Sequence, residues 1–279
     1  MIDPLVLEKL IDSALAEDIG FCDLTSELVI PADARAELAL NARQDMVLAG
    51  IDVAAQVFRR RPGCTVELRV EDGDRVKAGA MMGQIAGPAR GLLAVERTAL
   101  NFLQHLSGIA TLTAQYVERI AGTRAVLIDT RKTTPGLRAL EKHAVKLGGA
   151  RNHRLRLDDG VLIKDNHISV CGSITAAVQR ARAGAPVLTK IEVECDTLDQ
   201  VKEALACGAD MILLDNMGLD EMRRAVALSG GRVPLEASGG VRLETVRAIA
   251  ETGVDFISVG RITQSAPAVD IGLDAVIRT

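Results

Sequence analysis

From Arg124 onward the chain alternates short apolar, β-branched runs with longer stretches of helical spacing. The runs are AVLID, GVLIK, VLTKIEVE, MILLD, VPLEAS and FISVG. Amphipathic segments separate them at roughly 135–147, 173–183, 198–207, 219–228 and 242–251. Runs apolar on both faces and joined by helices predict a parallel sheet with right-handed crossovers. Six such brief units suit a closed or nearly closed α/β barrel, with a doubly wound open sheet as the alternative.

The first third is patterned differently. Asp3-Pro4 reads as an N-cap with proline at the first helical position, and Leu7, Leu10, Ile11, Ala14 and Leu15 continue a helix to about Glu17. Residues 21–33 are turn-rich and predict a loop. ARAELALNARQDMVLAG then alternates as a strand ending at Gly50, and IDVAAQVFRRR is a short helix. TVELRVEDGDRVKAGAMMGQIAGPARGLLAVER predicts short strands broken at Asp72-Gly73, Gly79 and Gly87-Pro88. Its turns have the cadence of biotinyl and lipoyl carrier domains, but no lysine sits in a suitable hairpin. ERTALNFLQHLSGIATLTAQYVERIAG predicts one or two connecting helices with a break at Gly108. The expected organisation is an N-terminal α+β sandwich with its connecting helix over 1–108, an α/β barrel over 109–265, and a tail over 266–279 packing on the N-terminal domain.

Composition narrows the function classes. The 279 residues carry a net charge of −4, no Trp, one Tyr and four Phe. So few aromatics, with mild acidity, argue against stacking on bases and against a duplex-binding surface. Five cysteines without CxxC spacing fit free thiols in a reducing cytoplasm. No apolar run reaches the length of a membrane span, and the acidic N-terminus does not read as a targeting segment.

Against that background the stretch Asp129–His167 stands out. Between 130 and 164 it holds nine Lys or Arg against three acids, and with its flanks it carries His143, His153 and His167, three of the four histidines. A solvated helix face would interleave acids every three or four residues. Here cations fall at strand ends, where α/β folds place ligands, and this predicts an anion site. Asp129-Thr130-Arg131-Lys132 ends the first run and Lys164-Asp165-Asn166-His167 the second. Glu192 and Glu194 end the third, Asp215-Asn216 the fourth, Glu236-Ala237-Ser238-Gly239-Gly240 the fifth and Gly260-Arg261 the sixth. Single members could be ion pairs or caps; six in register predict a site. Ser238-Gly239-Gly240 and Gly260 resemble barrel phosphate loops, although a turn explains a lone SGG equally well. Glu194 and Asp215 suit sugar hydroxyls or hydrated Mg²⁺, or else salt bridges to the nearby cations. His153 and His167 lack partners at metal spacing in the sequence and could be structural hydrogen bonders. No nucleophile motif is present.

These residues, in this order, resemble the quinolinate phosphoribosyltransferases, the carboxylating nicotinate-nucleotide pyrophosphorylases. The resemblance rests on ERTALNFLQHLSG, DTRKTTPGLRALEKHAVKLGGARNHR, LIKDNHI, EVEC, ILLDN, EASGG and SVGRITQSAP, and it spans essentially the whole chain. It implies an α+β sandwich followed by an incomplete parallel α/β barrel, in a homodimer with shared active sites that could assemble further. It implies that Arg97, Arg131, His153 and Arg154 surround the quinolinate carboxylates. Lys132, Lys164, Glu194 and Asp215 would be the catalytic set, and Ser238, Gly239 and Gly260 would hold a 5′-phosphate. Mg²⁺ would sit near Glu194 and Asp215 through substrate and water. Ala150 and Gln264 depart from the family pattern, the latter standing where Lys or His is common. The implied reaction joins quinolinate to phosphoribosyl pyrophosphate with loss of CO₂, in the cytoplasm. Two other classes remain open at this stage: a non-catalytic barrel binding a phosphorylated ligand, and a transferase for another pyridine or pyrimidine acid.

Overall fold

The computed structural model describes residues 3–276. In chain order the elements are α1 (Pro4–Ile19), α2 (Leu24–Val29), β1 (Arg35–Ala42), β2 (Met46–Val47), α3 (Ile51–Arg59), β3 (Thr65–Leu68), β4 (Arg75–Val76), β5 (Met81–Pro88) and α4 (Ala89–Arg119). There follow β6 (Val126–Ile128), α5 (Arg138–Leu147), β7 (Val161–Ile163), α6 (Asp165–Cys171), α7 (Ile174–Gly184), β8 (Ile191–Cys195) and α8 (Leu198–Ala206). The chain closes with β9 (Met211–Asp215), α9 (Leu219–Ser229), β10 (Leu235–Ser238), α10 (Val246–Ala250), β11 (Phe256–Ser258), α11 (Arg261–Gln264) and β12 (Ile271–Ala275).

Two compact units result. Of the described residues, the first gathers 3–114, 134–149 and 265–276. Its four-stranded sheet has the order β12-β1-β5-β3, and β1 pairs antiparallel with both neighbours. Asp3 caps α1 by accepting the Leu5 N–H at 2.8 Å, and α1 buries Leu7 and Ile11. The expected long strand from Ala34 to Gly50 is instead two: β1 stops at Ala42, and β2 pairs separately with β4. The loop expected over 21–33 contains α2, capped by Asp23.

Helix α4 already begins at Ala89, so the GLLAVER segment expected among the strands is helical, and Gly108 does not break α4. A Cβ at that position would collide with the Pro267 carbonyl oxygen, so the glycine serves close packing inside a continuous helix. Residues 134–149, which carry α5 and were expected in the barrel, belong to the first unit. Glu141 of α5, fully buried, accepts the Thr134 N–H at 3.2 Å and bonds His105 Nε2 at 2.8 Å.

The second unit comprises 115–133 and 150–264. Its six strands run in the order β6-β11-β10-β9-β8-β7, and every pair is parallel. Each strand neighbours its successor in sequence, except that β6 sits beside β11. A doubly wound sheet would reverse direction near its middle; this order has no such reversal and is a barrel order opened between β6 and β7. On that open side of β6, Ile128 makes an isolated parallel bridge to Arg151, which precedes β7. Strand alternation assigns the faces. In β8, Ile191, Val193 and Cys195 are fully buried on one face, and Glu192 and Glu194 share the other. Burial pushes the Cys195 thiol up to about 12, which marks it as packing rather than chemistry. The same two-residue step aligns Leu162 with Lys164, Leu213 with Asp215, and Glu236 with Ser238.

Candidate active site

Those aligned residues line a cavity of about 560 Å³ in the second unit. Asp129, Arg131, Lys132, His153, Arg154, Lys164, Glu194, Asp215, Ser238 and Gly239 all contribute to its wall. The strand-end cations, acids and glycine turn that were separate in sequence therefore share one site.

The cationic side is held by a buried acid. Asp129, fully buried at the end of β6, accepts Asn152 Nδ2 at 2.7 Å and the His153 N–H at 2.8 Å. That carboxylate ties the Asn152–Arg154 strap to the strand end. Arg154 donates to the Gly160 carbonyl at 2.8 Å. Burial, and then the like charge of Arg131, hold the Arg154 guanidinium below its ordinary range. Arg131 Nε is itself buried without a hydrogen-bond partner. Two guanidiniums so arranged suit an anion held by both.

On the opposite wall Lys164 pairs with Glu194, which is 9% exposed. Asp215 accepts from Asn216 Nδ2 at 2.6 Å. Asn216 takes φ +53° and donates its N–H to the Ser238 carbonyl at 3.0 Å. Gly239 lies against it at φ +91°, and a Cβ there would overlap the Asn216 amide. Glycine is required at 239 by both conformation and space. Gly260 does not itself line the cavity; it packs beneath Lys132, with the exposed Gln264 alongside.

Below this ring lies a group whose members the sequence offers separately, His153 as a site residue and Glu192 and Glu236 as strand-end acids, without joining them. His153 Nε2 is 2.8 Å from Glu192 Oε2 and 3.6 Å from Glu236 Oε2, and both acids are buried. Burial first, and the Glu192 carboxylate second, push the Glu236 carboxyl well above the usual range. These three are the cluster of possible metal ligands among the described residues, their ligand atoms within 4.8 Å. Bonds of about 2.1 Å to a tetrahedral ion would separate ligand atoms by about 3.4 Å. The 2.8 Å contact is a hydrogen bond instead. The available signal was an acid inside a strand whose every residue is apolar or acidic, IEVEC.

Arg97 is exposed on α4 of the first unit and is not among the residues lining the cavity. Among the described residues no helix is long and apolar enough to cross a membrane.

An open α/β barrel with lysines, arginines and carboxylates converging at its strand ends defines a protein built to hold a small polyanion. Residues 109–274 match the family described as quinolinate phosphoribosyl transferase, C-terminal domain, and residues 23–107 match its N-terminal domain. The chain is 42% identical over 274 residues to the probable carboxylating nicotinate-nucleotide pyrophosphorylase of Bacillus subtilis, covering 98% of this chain and 94% of that one. It is 45% identical over 268 residues to the Mycobacterium leprae carboxylating nicotinate-nucleotide pyrophosphorylase, covering 94% of each. The structure of the nicotinate-nucleotide pyrophosphorylase from Francisella tularensis superposes with a TM-score of 0.94 at 38% identity, over 99% of this chain and 98% of that one. The chain belongs to the quinolinate phosphoribosyltransferase family.

Proposed function

We propose that the protein transfers phosphoribosyl from phosphoribosyl pyrophosphate to quinolinate with decarboxylation, yielding nicotinate mononucleotide, pyrophosphate and CO₂ for NAD biosynthesis. The observation that carries this reading is the cavity wall itself, where Arg131 and Arg154 stand together with Lys132, Lys164, Glu194 and Asp215. In family terms the protein is a pentosyltransferase.

Arg131 and Arg154 bind the quinolinate carboxylates and thereby point the ring nitrogen at the anomeric carbon. Displacement there places positive charge on the ribose and negative charge on the departing pyrophosphate. Lys132 and Lys164 stabilise the leaving group, and Glu194 and Asp215 favour the cationic sugar. Ser238 and Gly239 take the 5′-phosphate, with Gly260 leaving room for Lys132. Once the nitrogen is alkylated, the C2–carboxylate bond breaks, CO₂ departs, the electron pair stays at C2 stabilised by the adjacent pyridinium nitrogen, and C2 then takes a proton from water. No covalent enzyme intermediate is needed.

Glu194 and Asp215 offer hard oxygen donors that fit Mg²⁺, but each already holds a side-chain partner, Lys164 and Asn216. The ion would therefore be carried through substrate oxygens and water beside them. Bound there, Mg²⁺ would neutralise pyrophosphate charge. The working form is a homodimer in which Arg97 from one subunit completes the site of the other. This is supported by the exposure of Arg97 and of the apolar Phe21, Leu24 and Leu28 in the first unit. A cytoplasmic setting is supported by five cysteines that are all free thiols.

Pyrophosphate and CO₂ release, measured with quinolinate, nicotinate and a pyrimidine acid, tests the assignment. Stoichiometric release of both with quinolinate alone is expected. Release with another acid in preference, or with none, would remove it.

A further inference from the structure

Both ring nitrogens of His153 are engaged. Nδ1 accepts the Arg154 backbone N–H at 2.7 Å, so the ring proton lies on Nε2 and is donated to Glu192 at 2.8 Å. The next shell inward is the second acid, Glu236, 1% exposed, with Oε2 at 3.6 Å from the same ring nitrogen. Glu192 Oε1 and Glu236 Oε2 are both buried and have no partner of their own. Two carboxylates so close and so buried cannot both be ionised. One proton held between them removes the repulsion and satisfies the orphaned oxygens together.

We propose that Glu192 and Glu236 are positioning residues, a carboxyl–carboxylate pair inside the barrel that locks the His153 tautomer and, through Nδ1, fixes the backbone from which Arg154 reaches the acid-binding pocket. The chain of contacts is continuous. Glu236 orients Glu192, Glu192 orients the ring, and the ring holds the Arg154 N–H while Asp129 holds the His153 N–H from the other side. His153 thus serves the acid substrate indirectly. Its ring has no remaining N–H to offer a carboxylate, so the contact falls to Arg154. The groups facing Glu236 are Glu192, Ser258, His153 and Lys164, and the lysine provides the balancing positive charge. This inference rests on the functional reading above only for the identity of the acid.

Three variants test it: Glu236→Ala, Glu236→Gln, and Glu236→Leu should the alanine form fail to fold. The glutamine amide can donate to Glu192 as the shared proton does; alanine and leucine cannot. Loss of the pair should raise the KM for quinolinate about tenfold, with the KM for phosphoribosyl pyrophosphate within about twofold. Glu236→Gln should recover most of that loss. Imidazole ¹⁵N spectra, with His153 assigned by its own substitution, should show a protonated Nε2 and bare Nδ1 in the wild type and in Glu236→Gln. A mixture of tautomers is expected once the pair is removed. An unchanged tautomer in Glu236→Ala or Glu236→Leu would overturn the proposal. So would equal KM changes for both substrates, or a glutamine variant as impaired as the alanine one. The spectra need no substrate, so failure of turnover with quinolinate would count against the functional reading alone.

Discussion

Lys132 lies across Gly260 so closely that a Cβ at residue 260 would stand 2.7 Å from the lysine Cδ. No real Cβ is accommodated at that separation, so a larger residue must push the lysine stem aside. Gly260→Ala should therefore fold normally yet lower kcat about tenfold or more, because a displaced ammonium no longer meets the leaving group. A melt within a degree or two of wild type together with unchanged kcat would show that Lys132 is free to move.

Lys164→Ala and Lys132→Ala should reduce kcat more than they raise the KM for quinolinate, since both cations face charge that grows during the reaction. In Lys164→Ala the nearly buried Glu194 also loses its ion-pair partner. Steady-state kinetics with each substrate varied would separate the two effects, and a pure affinity loss would reduce the lysines to binding groups.

Nicotinate lacks the 2-carboxylate and would leave a guanidinium of the Arg131–Arg154 pair without its anion. Removing one partner of a buried ion pair costs roughly 3–5 kcal/mol. That corresponds to about two to three and a half decades in kcat/KM in favour of quinolinate. Competition of the two acids at saturating second substrate measures the ratio, and a preference below tenfold would mean that the pocket is solvated.

Arg97→Ala and Lys164→Ala subunits, each inactive alone, should regain part of the activity when mixed and allowed to exchange. Only a site built from two chains permits such recovery. Exchange demonstrated by labelled subunits without any return of activity would argue for a self-contained site.

Removing Glu141, fully buried, takes the shared carboxylate acceptor away from His105 Nε2 and from the N–H of the exposed Thr134. Glu141→Ala should cost about 2–3 kcal/mol of stability, read by urea denaturation. A change below about 0.5 kcal/mol would mean that water replaces the carboxylate.

The six parallel strands were legible because each is a compact apolar run, and the strand order then followed from chain succession. The strand-end charges were legible for the same reason, since alternation carries Lys164, Glu194 and Asp215 to the cavity from fixed offsets. What was not legible depends on contacts distant in sequence. Gly108 reads as a break until Pro267 is placed against it. Helix α6 has no buried residue and so no apolar period; its first turn is held by His167 Nδ1, which accepts the Lys164 backbone N–H at 2.9 Å. Helix α2 did leave a trace, in Asp23 three residues before Ser26. The pairing of Glu192 with Glu236 joins two strands with β9 between them, a relation no local pattern contains.

Strand β12 is made last and yet closes the sheet of the first unit, its Ile271–Ala275 aligned along Ala42–Leu38 of β1. During synthesis β1 therefore waits with one bare edge while the entire barrel is translated. An unpaired strand edge is a template for the wrong partner. Until residues 271–275 have cleared the ribosome, that edge of β1 stays open to another strand.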